Sequence, residues 1–390
     1  MKNAIKIVLL SLVLSFINCQ NIWAADGVIR IGFNLPLTGM FELVGNHAKN
    51  AAELVRKDIE RAGGIQVGGK SYTIEFLYGD NGSNSSTASS LTVTQVSREG
   101  VLGIVGPLSS RQAIIAGQMA NAFSTPMISP WSASPLTTKD RPFVFRSGFM
   151  LSDQAVAMTK FSGSEFKAKK AAVLYDIVSD YPRGMALKFK ESFEEQNGSD
   201  SVVAFEEFRT GDEDFSKQLT RISQSGADIL FTPQHYNEVP LIVHQAKNMG
   251  LSIPVVGSNS WAGGDLVGQC GSACNELYFV SNYAPGNAKG LNKTFVEAYM
   301  KAYDKHPDEP AALTWDAIRV MMQAIKNTGG LTGNLTKDRV LVKDALTQIQ
   351  DFDGATGKMS YNETGNPSKC AVIVKIDNNG VFSFHDSICP

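Results

Sequence analysis

The feature that most limits what this chain can fold into is a regular alternation of short apolar runs with segments of helical period. "GVIRIGFNLPLTG" reads as a strand entering a turn, and "NHAKNAAELVRKDIERAGG" as an amphipathic helix ending at Gly63–Gly64. Strand "YTIEFLYGDN", helix "SSTASSLTVTQVSREG", strand "VLGIVG", a helix opening at two serines and strand "TPMISP" follow. After Arg146 a second series runs through "SDQAVAMTKFSGSEF", "KAAVLYD", "RGMALKFKESFEEQNG", "VVAFEEF", "DFSKQLTRISQSG", "DILFTP", "EVPLIVHQAKNMG" and "IPVVGS". Strands alternating with helices of this length form βαβ units and parallel sheets. The expected fold class is α/β, with two doubly wound parallel-sheet lobes. No long linker separates the two series, so the chain is expected to cross between lobes several times. A late helical region, residues 290–350, is left to be placed.

The N-terminus is set apart from this pattern. Lys2 and Lys6 precede the apolar run "IVLLSLVLSFI", which falls short of the ~20 residues of a membrane span and is followed by small residues. Residues 1–25 are therefore expected to be a secretory signal cut after Ala24 or Ala25. A cut before Cys19 would leave a lipid-anchored cysteine, but Asn18 stands where a lipobox wants Gly or Ala, so soluble export is preferred. Lys and Arg number 36 against 38 Asp and Glu, and loss of Lys2 and Lys6 makes the exported chain more acidic. With no basic stripe, nucleic acid and anionic membrane surfaces are not expected partners.

Four cysteines remain once Cys19 is removed. Cys270 and Cys274 lie in "QCGSACNE", while Cys370 and Cys389 flank two strands around an "NNG" turn. An even number in an oxidising compartment favours disulfides, and of three possible pairings Cys270–Cys274 with Cys370–Cys389 is preferred. The spacing does not suit zinc, and no His lies nearby.

Chemistry must come from elsewhere. GxSxG, HExxH, Walker and GxGxxG patterns are missing, and His47, His235, His244, His306 and His385 show no metal spacing. Neither an enzyme nor a cofactor is expected. Three loops at strand ends carry small hydroxyl residues: "GPLSS", "SPWSASP" and "VGSNSW". In open α/β sheets ligands bind beyond the carboxyl ends of the strands, and a helix N-terminus there offers unpaired N–H groups to an anion. Ser109 and Ser110 suit either a helix cap or a ligand contact, and as neighbours can divide the two tasks.

"IGFNLPLTG", "VLGIVGPLSS", "TPMISPWSAS", "FVFRSG", "LYDIVSDYPRG" and "FDGATGKMSYNETGNP" occur in one order. This ordered set resembles the type I periplasmic binding proteins for leucine, isoleucine and valine, and the likeness spans about residues 27–390. It implies a Venus-flytrap of two lobes joined by three crossovers. Lobe 1 would hold 26–147 and 283–356, lobe 2 would hold 148–282 and 357–390, and hinges would lie near 147, 283 and 356. The implied activity is that of an extracytoplasmic receptor of an ABC importer, monomeric, taking a small carboxylate-bearing ligand and docking on a membrane permease. A sensor for amides or organic acids built on the same clamshell is the alternative.

Carried onto this sequence, the resemblance puts the carboxylate clamp on Ser110 with the loop Ser132–Ala133–Ser134. The ring closing from lobe 2 is Tyr181, and Gln234 or His235 replaces a second ring. Asn259 stands where amino-acid binders carry the acid that meets the ligand's ammonium, and Val44 replaces an aromatic residue of the side-chain pocket. A neutral amide suits an ammonium less than a carboxylate does, so the carboxylate end of the ligand follows and the amino end does not. Glu42 and Asp265 are the acids considered as substitutes.

Overall fold

The computed structural model describes residues 27–286 and 288–389. The expected signal segment and Cys19 lie outside the described residues. The first half of the chain runs β1 (Gly27–Leu35), α1 (Glu42–Arg61), β2 (Ile65–Val67), β3 (Lys70–Asp80), α2 (Ser85–Ser97), β4 (Gly103–Val105), α3 (Ser110–Ala122), β5 (Met127–Ser129) and β6 (Val144–Arg146). The second series runs α4 (Leu151–Glu165), β7 (Ala171–Asp176), α5 (Asp180–Asn197), β8 (Val202–Phe208), α6 (Ser216–Gln224), β9 (Ile229–Thr232), α7 (Val239–Asn248), β10 (Val255–Gly257), α8 (Leu266–Cys270) and β11 (Tyr278–Ser281). Then come α9 (Gly290–Tyr303), α10 (Glu309–Asn327), α11 (Leu335–Thr347), β12 (Phe352–Gly354), β13 (Gly357–Met359), β14 (Ala371–Ile376) and β15 (Phe382–Ile388).

The strands form two large sheets and one small hairpin. The first sheet has the order β2-β3-β1-β4-β5-β6 and the second β15-β14-β11-β10-β9-β7-β8. Pairing is parallel through the centre of each sheet, as the alternation requires. Antiparallel pairs occur at the edges, where β2 joins β3 and where β14 and β15 extend the second sheet from β11. A tight hairpin needs no crossover helix, so both additions fit where the helical layers end. The short strands β6 and β11 were not separated from their loops in the sequence. At three or four residues they carry too few positions for a period to show.

The late helices settle on the first sheet. α10 is buried over most of its surface, with Leu313, Ile318, Met321 and Ile325 fully covered, and packs against α1, α11, β2 and β4. Only a narrow stripe through Arg319, Gln323 and Lys326 reaches the surface, so the helix is largely enclosed by its layer. The chain thus leaves the first sheet after β6, returns after β11 and leaves again after β13, so three connections join the two lobes.

Two glycines mark where backbone approaches backbone. Helix α1 opens at Glu42, ahead of the Asn46 start read from the sequence, and carries Gly45 through. A Cβ there would lie 1.9 Å from the Pro36 carbonyl oxygen, so the apparent breaker is the residue that lets the helix pass. Gly106, between β4 and α3, has φ +106, and a Cβ would meet the Asn34 carbonyl oxygen at 2.2 Å. Gly106→Ala should therefore lose about 1–3 kcal/mol of stability through strain alone. Urea unfolding checks this, and a midpoint equal to wild type would contradict it.

Candidate functional site

The site is built by strand ends of both sheets facing each other. A cavity of about 210 Å³ lies between them, lined from lobe 1 by Met40, Phe41, Ser83, Ser85 and Ser109–Gln112. Lobe 2 supplies Asp176, Val178–Tyr181, Thr210, His235 and Glu238. A larger depression of about 710 Å³ near α11 is lined by lobe-1 elements and the third connection, so closure of the lobes would not enclose it.

α3 points its first turn at the cavity. Ser109 takes the N-cap position through its backbone, but its hydroxyl makes no capping bond. Ser110, the first helical residue, is buried, and its Oγ accepts from Ser132 Oγ at 3.1 Å. Neither serine is spent on holding the helix, and both line the cavity. The free first-turn N–H groups and the partial positive charge of the helix end leave this wall suited to an anion.

The Ser132–Ala133–Ser134 loop lies behind Ser110, and its residues are not among those lining the cavity. Ser132 Oγ also meets Thr137 Oγ1 at 2.6 Å, and the Ser132 and Ser134 carbonyls accept from the buried Arg146 guanidinium at 2.9 and 2.7 Å. The Ala133 carbonyl accepts from Leu151 N at 3.0 Å, and Ser134 Oγ caps the short 3-10 turn after it. The loop supports Ser110 from behind, and each of its three carbonyls accepts a hydrogen bond from the protein.

From lobe 2, Tyr181 and His235 reach the cavity wall. Their rings are 5.8 Å apart, and His235 also lies 5.1 Å from Phe41 and 6.4 Å from Trp131 of lobe 1. This ring cluster spans the two lobes. Arg111, exposed on α3, approaches Asp180 across the cleft at 3.9 Å. His235 Nδ1 faces Ser260 Oγ at 2.7 Å, and burial pulls its pKa down to about 4, with Asp176 opposing weakly. The Tyr181 hydroxyl lies 2.6 Å from Asn259 Oδ1 and 3.0 Å from Gln154 Oε1, and burial pushes its pKa above the usual phenol range.

Gln234 and Asn259 sit behind this wall instead of on it. Gln234, fully buried, turns its amide oxygen to Asp176 N (2.7 Å) and its nitrogen to Glu238 Oε2 (3.2 Å). Asn259 donates from Nδ2 to Glu309 Oε1 at 3.3 Å while its oxygen faces Tyr181. Neither Glu42 nor Asp265 lines the cavity; Asp265 caps α8 through Gly268 N at 3.0 Å. Sequence reading missed Gln154, Asp176, Glu238 and Glu309. Only "DEP" before α10 carried a signal, and it reads as an ordinary helix start. Cys270 faces Cys274 and Cys370 faces Cys389, with Cα separations of 5.7 and 4.1 Å. Among the described residues no group of three metal-ligating side chains occurs, and no helix is long and apolar enough to cross a membrane.

Two α/β lobes with a ligand-sized cavity between their strand ends define a clamshell solute-binding protein of type I topology. The chain belongs to the periplasmic binding protein family, whose model matches residues 28–381. It is 26% identical over 346 residues to the Leu/Ile/Val-binding protein homolog 3 of Brucella melitensis, covering 88% of this chain and 90% of that one. It is also similar to two solved structures. The leucine-binding protein LivK of Thermotoga maritima is 28% identical with TM-score 0.84, covering 93% of this chain and 99% of that one. The branched-chain amino acid binding protein LivJ of Streptococcus pneumoniae, in complex with isoleucine, is 31% identical with TM-score 0.83, covering 93% and 100%.

The buried imidazole gives a pH prediction. His235 has a folded pKa near 4 against 6.5 when exposed, so below 6.5 the unfolded chain binds the extra proton. Its contribution is present above pH 6.5 and is lost as pH falls towards 4. The stability gap between wild type and His235→Gln should narrow over that window, read by urea unfolding at pH 7.5, 5.5 and 4.5. A gap independent of pH would show that His235 is not buried in neutral form.

Proposed function

We propose that this protein is the extracytoplasmic receptor of an ABC importer that captures a small carboxylate-bearing ligand, such as a branched-chain amino acid or a related organic acid, in the interlobe cavity. The observation that carries the reading is the cavity itself. One wall is a helix N-terminus with two serines unused as caps, and the other is a pair of rings on the opposite lobe. A ligand that touches both walls favours the closed state by its contacts there, and the closed form would be what a membrane permease binds.

Hinges near 147, 283 and 356 follow from the three connections, with lobes of 26–147 plus 283–356 and 148–282 plus 357–390. The receptor is taken to be a periplasmic monomer released from its signal segment, with Cys270–Cys274 and Cys370–Cys389 formed as disulfides on export. The names of the relatives, which refer to leucine, isoleucine and valine, support the amino-acid option.

The test uses L-isoleucine and its counterpart without the amino group, 3-methylpentanoate, in calorimetry. Ser110→Ala should weaken whichever binds by about 3- to 10-fold, the worth of one hydrogen bond near 1 kcal/mol. Equal affinity in the variant would remove Ser110 from the contact set. Binding of neither compound would refute the carboxylate reading.

A further inference from the structure

The N-terminal end of α10 belongs to lobe 1, yet its first two carboxylates reach into lobe 2. Asp308, the N-cap, accepts from Ala311 N through Oδ1 (2.9 Å). Its Oδ2 takes His47 Nδ1 at 2.8 Å and Gly264 N, from lobe 2, at 3.0 Å. Glu309, wholly buried, accepts through Oε1 from Asn282 N (3.1 Å), from Asn282 Nδ2 and from Asn259 Nδ2 (3.3 Å). Asn259 and Gly264 bound one short stretch of lobe 2, the 3-10 turn Asn259–Ala262 and the two glycines after it. The same Asn259 faces the Tyr181 hydroxyl on the cavity side, and Asn282 Oδ1 accepts from Phe149 N, tying the first connection to the second.

We propose that Asp308 and Glu309 form a closure latch, with Asn259 as a positioning residue that couples Tyr181 to that latch instead of touching the ligand. The proposal rests on the interlobe cavity being the ligand site. The reasoning follows from which contacts survive opening. His47 and Ala311 move with Asp308, and Asn282 lies on a connection, so those bonds persist. The Gly264 and Asn259 donors belong to the other lobe and depart with it. Charge-assisted bonds are the strong ones, and here two of them exist only when lobe 2 is docked.

The identity of residue 259 follows from the same geometry. An amide can give a hydrogen to Glu309 and accept one from Tyr181 at once. An Asp would set a second carboxylate against Glu309 in a site with no water between them, and one of the two would have to hold a proton. Glu309 is already pushed up to about 7 by burial, with the Asn282 and Asn259 donors opposing. An acid at 259 is therefore incompatible with this latch, whatever it offers a ligand's ammonium.

Stopped-flow fluorescence with L-isoleucine, together with hydrogen exchange of the Gly264 amide in the protein alone, tests the latch. Asn259→Asp should raise the dissociation rate at least 10-fold, with the association rate within about 3-fold of wild type. Adding Glu309→Gln should leave dissociation fast, because the Oε1 position also accepts from Asn282 N and Nδ2 and an NH₂ group cannot take its place. Asp308→Asn should speed Gly264 exchange, and thermal unfolding confirms that each variant is folded. An Asn259→Asp variant that dissociates within about 3-fold of wild type, or Gly264 exchange unchanged in both Asp308→Asn and Asn259→Asp, would overturn the proposal. So would an Asn259→Asp variant that changes the preference between L-isoleucine and 3-methylpentanoate while Gly264 exchange stays the same. If neither compound binds, the carboxylate reading falls, and Gly264 exchange alone decides the latch: faster in the variants supports it, unchanged refutes it.

Discussion

The architecture depends on buried charges being satisfied where the three connections pass between the lobes. Asp316 of α10 accepts from Ala355 N, Thr356 N and Thr356 Oγ1 at 2.7, 2.9 and 2.6 Å. Lys369 donates to that same Thr356 hydroxyl at 2.6 Å and to the Ser147 carbonyl at 3.3 Å. The first and third connections are thus pinned to one lobe-1 helix, and Glu309 about two turns earlier pins the second through Asn282. Burial raises the Asp316 and Glu309 pKa values and lowers that of Lys369 to about 8, each group partly offsetting the others. Buried ions are costly singly and tolerable only when hydrogen-bonded together, so this cluster limits the connections to few arrangements.

Three short connections join two packed bodies, and interiors at crystal-like density do not deform continuously. The recognition surfaces are therefore carried intact. The α3 end travels with the first sheet, held from behind by Ser132 and Arg146, and the Tyr181–His235 pair travels with the second. The ring cluster of Phe41, Trp131, His235 and Tyr181 draws members from both lobes, so apolar area is hidden only when they meet.

Much of this was legible in the sequence because it follows from period. The long alternating segments gave the parallel cores, and the resemblance supplied the crossovers that placed α9–α11 with the first sheet. What escaped lay in three- and four-residue strands such as β6 and β11, and in contacts between residues far apart in the chain. Arg146 illustrates the second failure. Nothing in "FVFRSG" marks it, yet its guanidinium lies under the Ser132–Ser134 loop and donates to the Ser132 and Ser134 carbonyls. No local pattern announces that a side chain 12 to 14 residues away will claim an acceptor.

Asn259 shows how fully protein neighbours can use one side chain's hydrogen-bonding groups. Its place on the β10 loop is where a ligand contact was expected, and the structure brings it within 2.6 Å of the ring that lines the cavity. Yet a side chain amide has one carbonyl and one NH₂, and here the first faces Tyr181 and the second Glu309. The carboxylate that meets Asn259 lies one layer behind it, on α10, as Glu309. Exchange of Asn for Asp is small in volume and large in consequence when the partner is a carboxylate with no water between. The chemistry of residue 259 is therefore dictated by residue 309, fifty positions away, before any ligand enters.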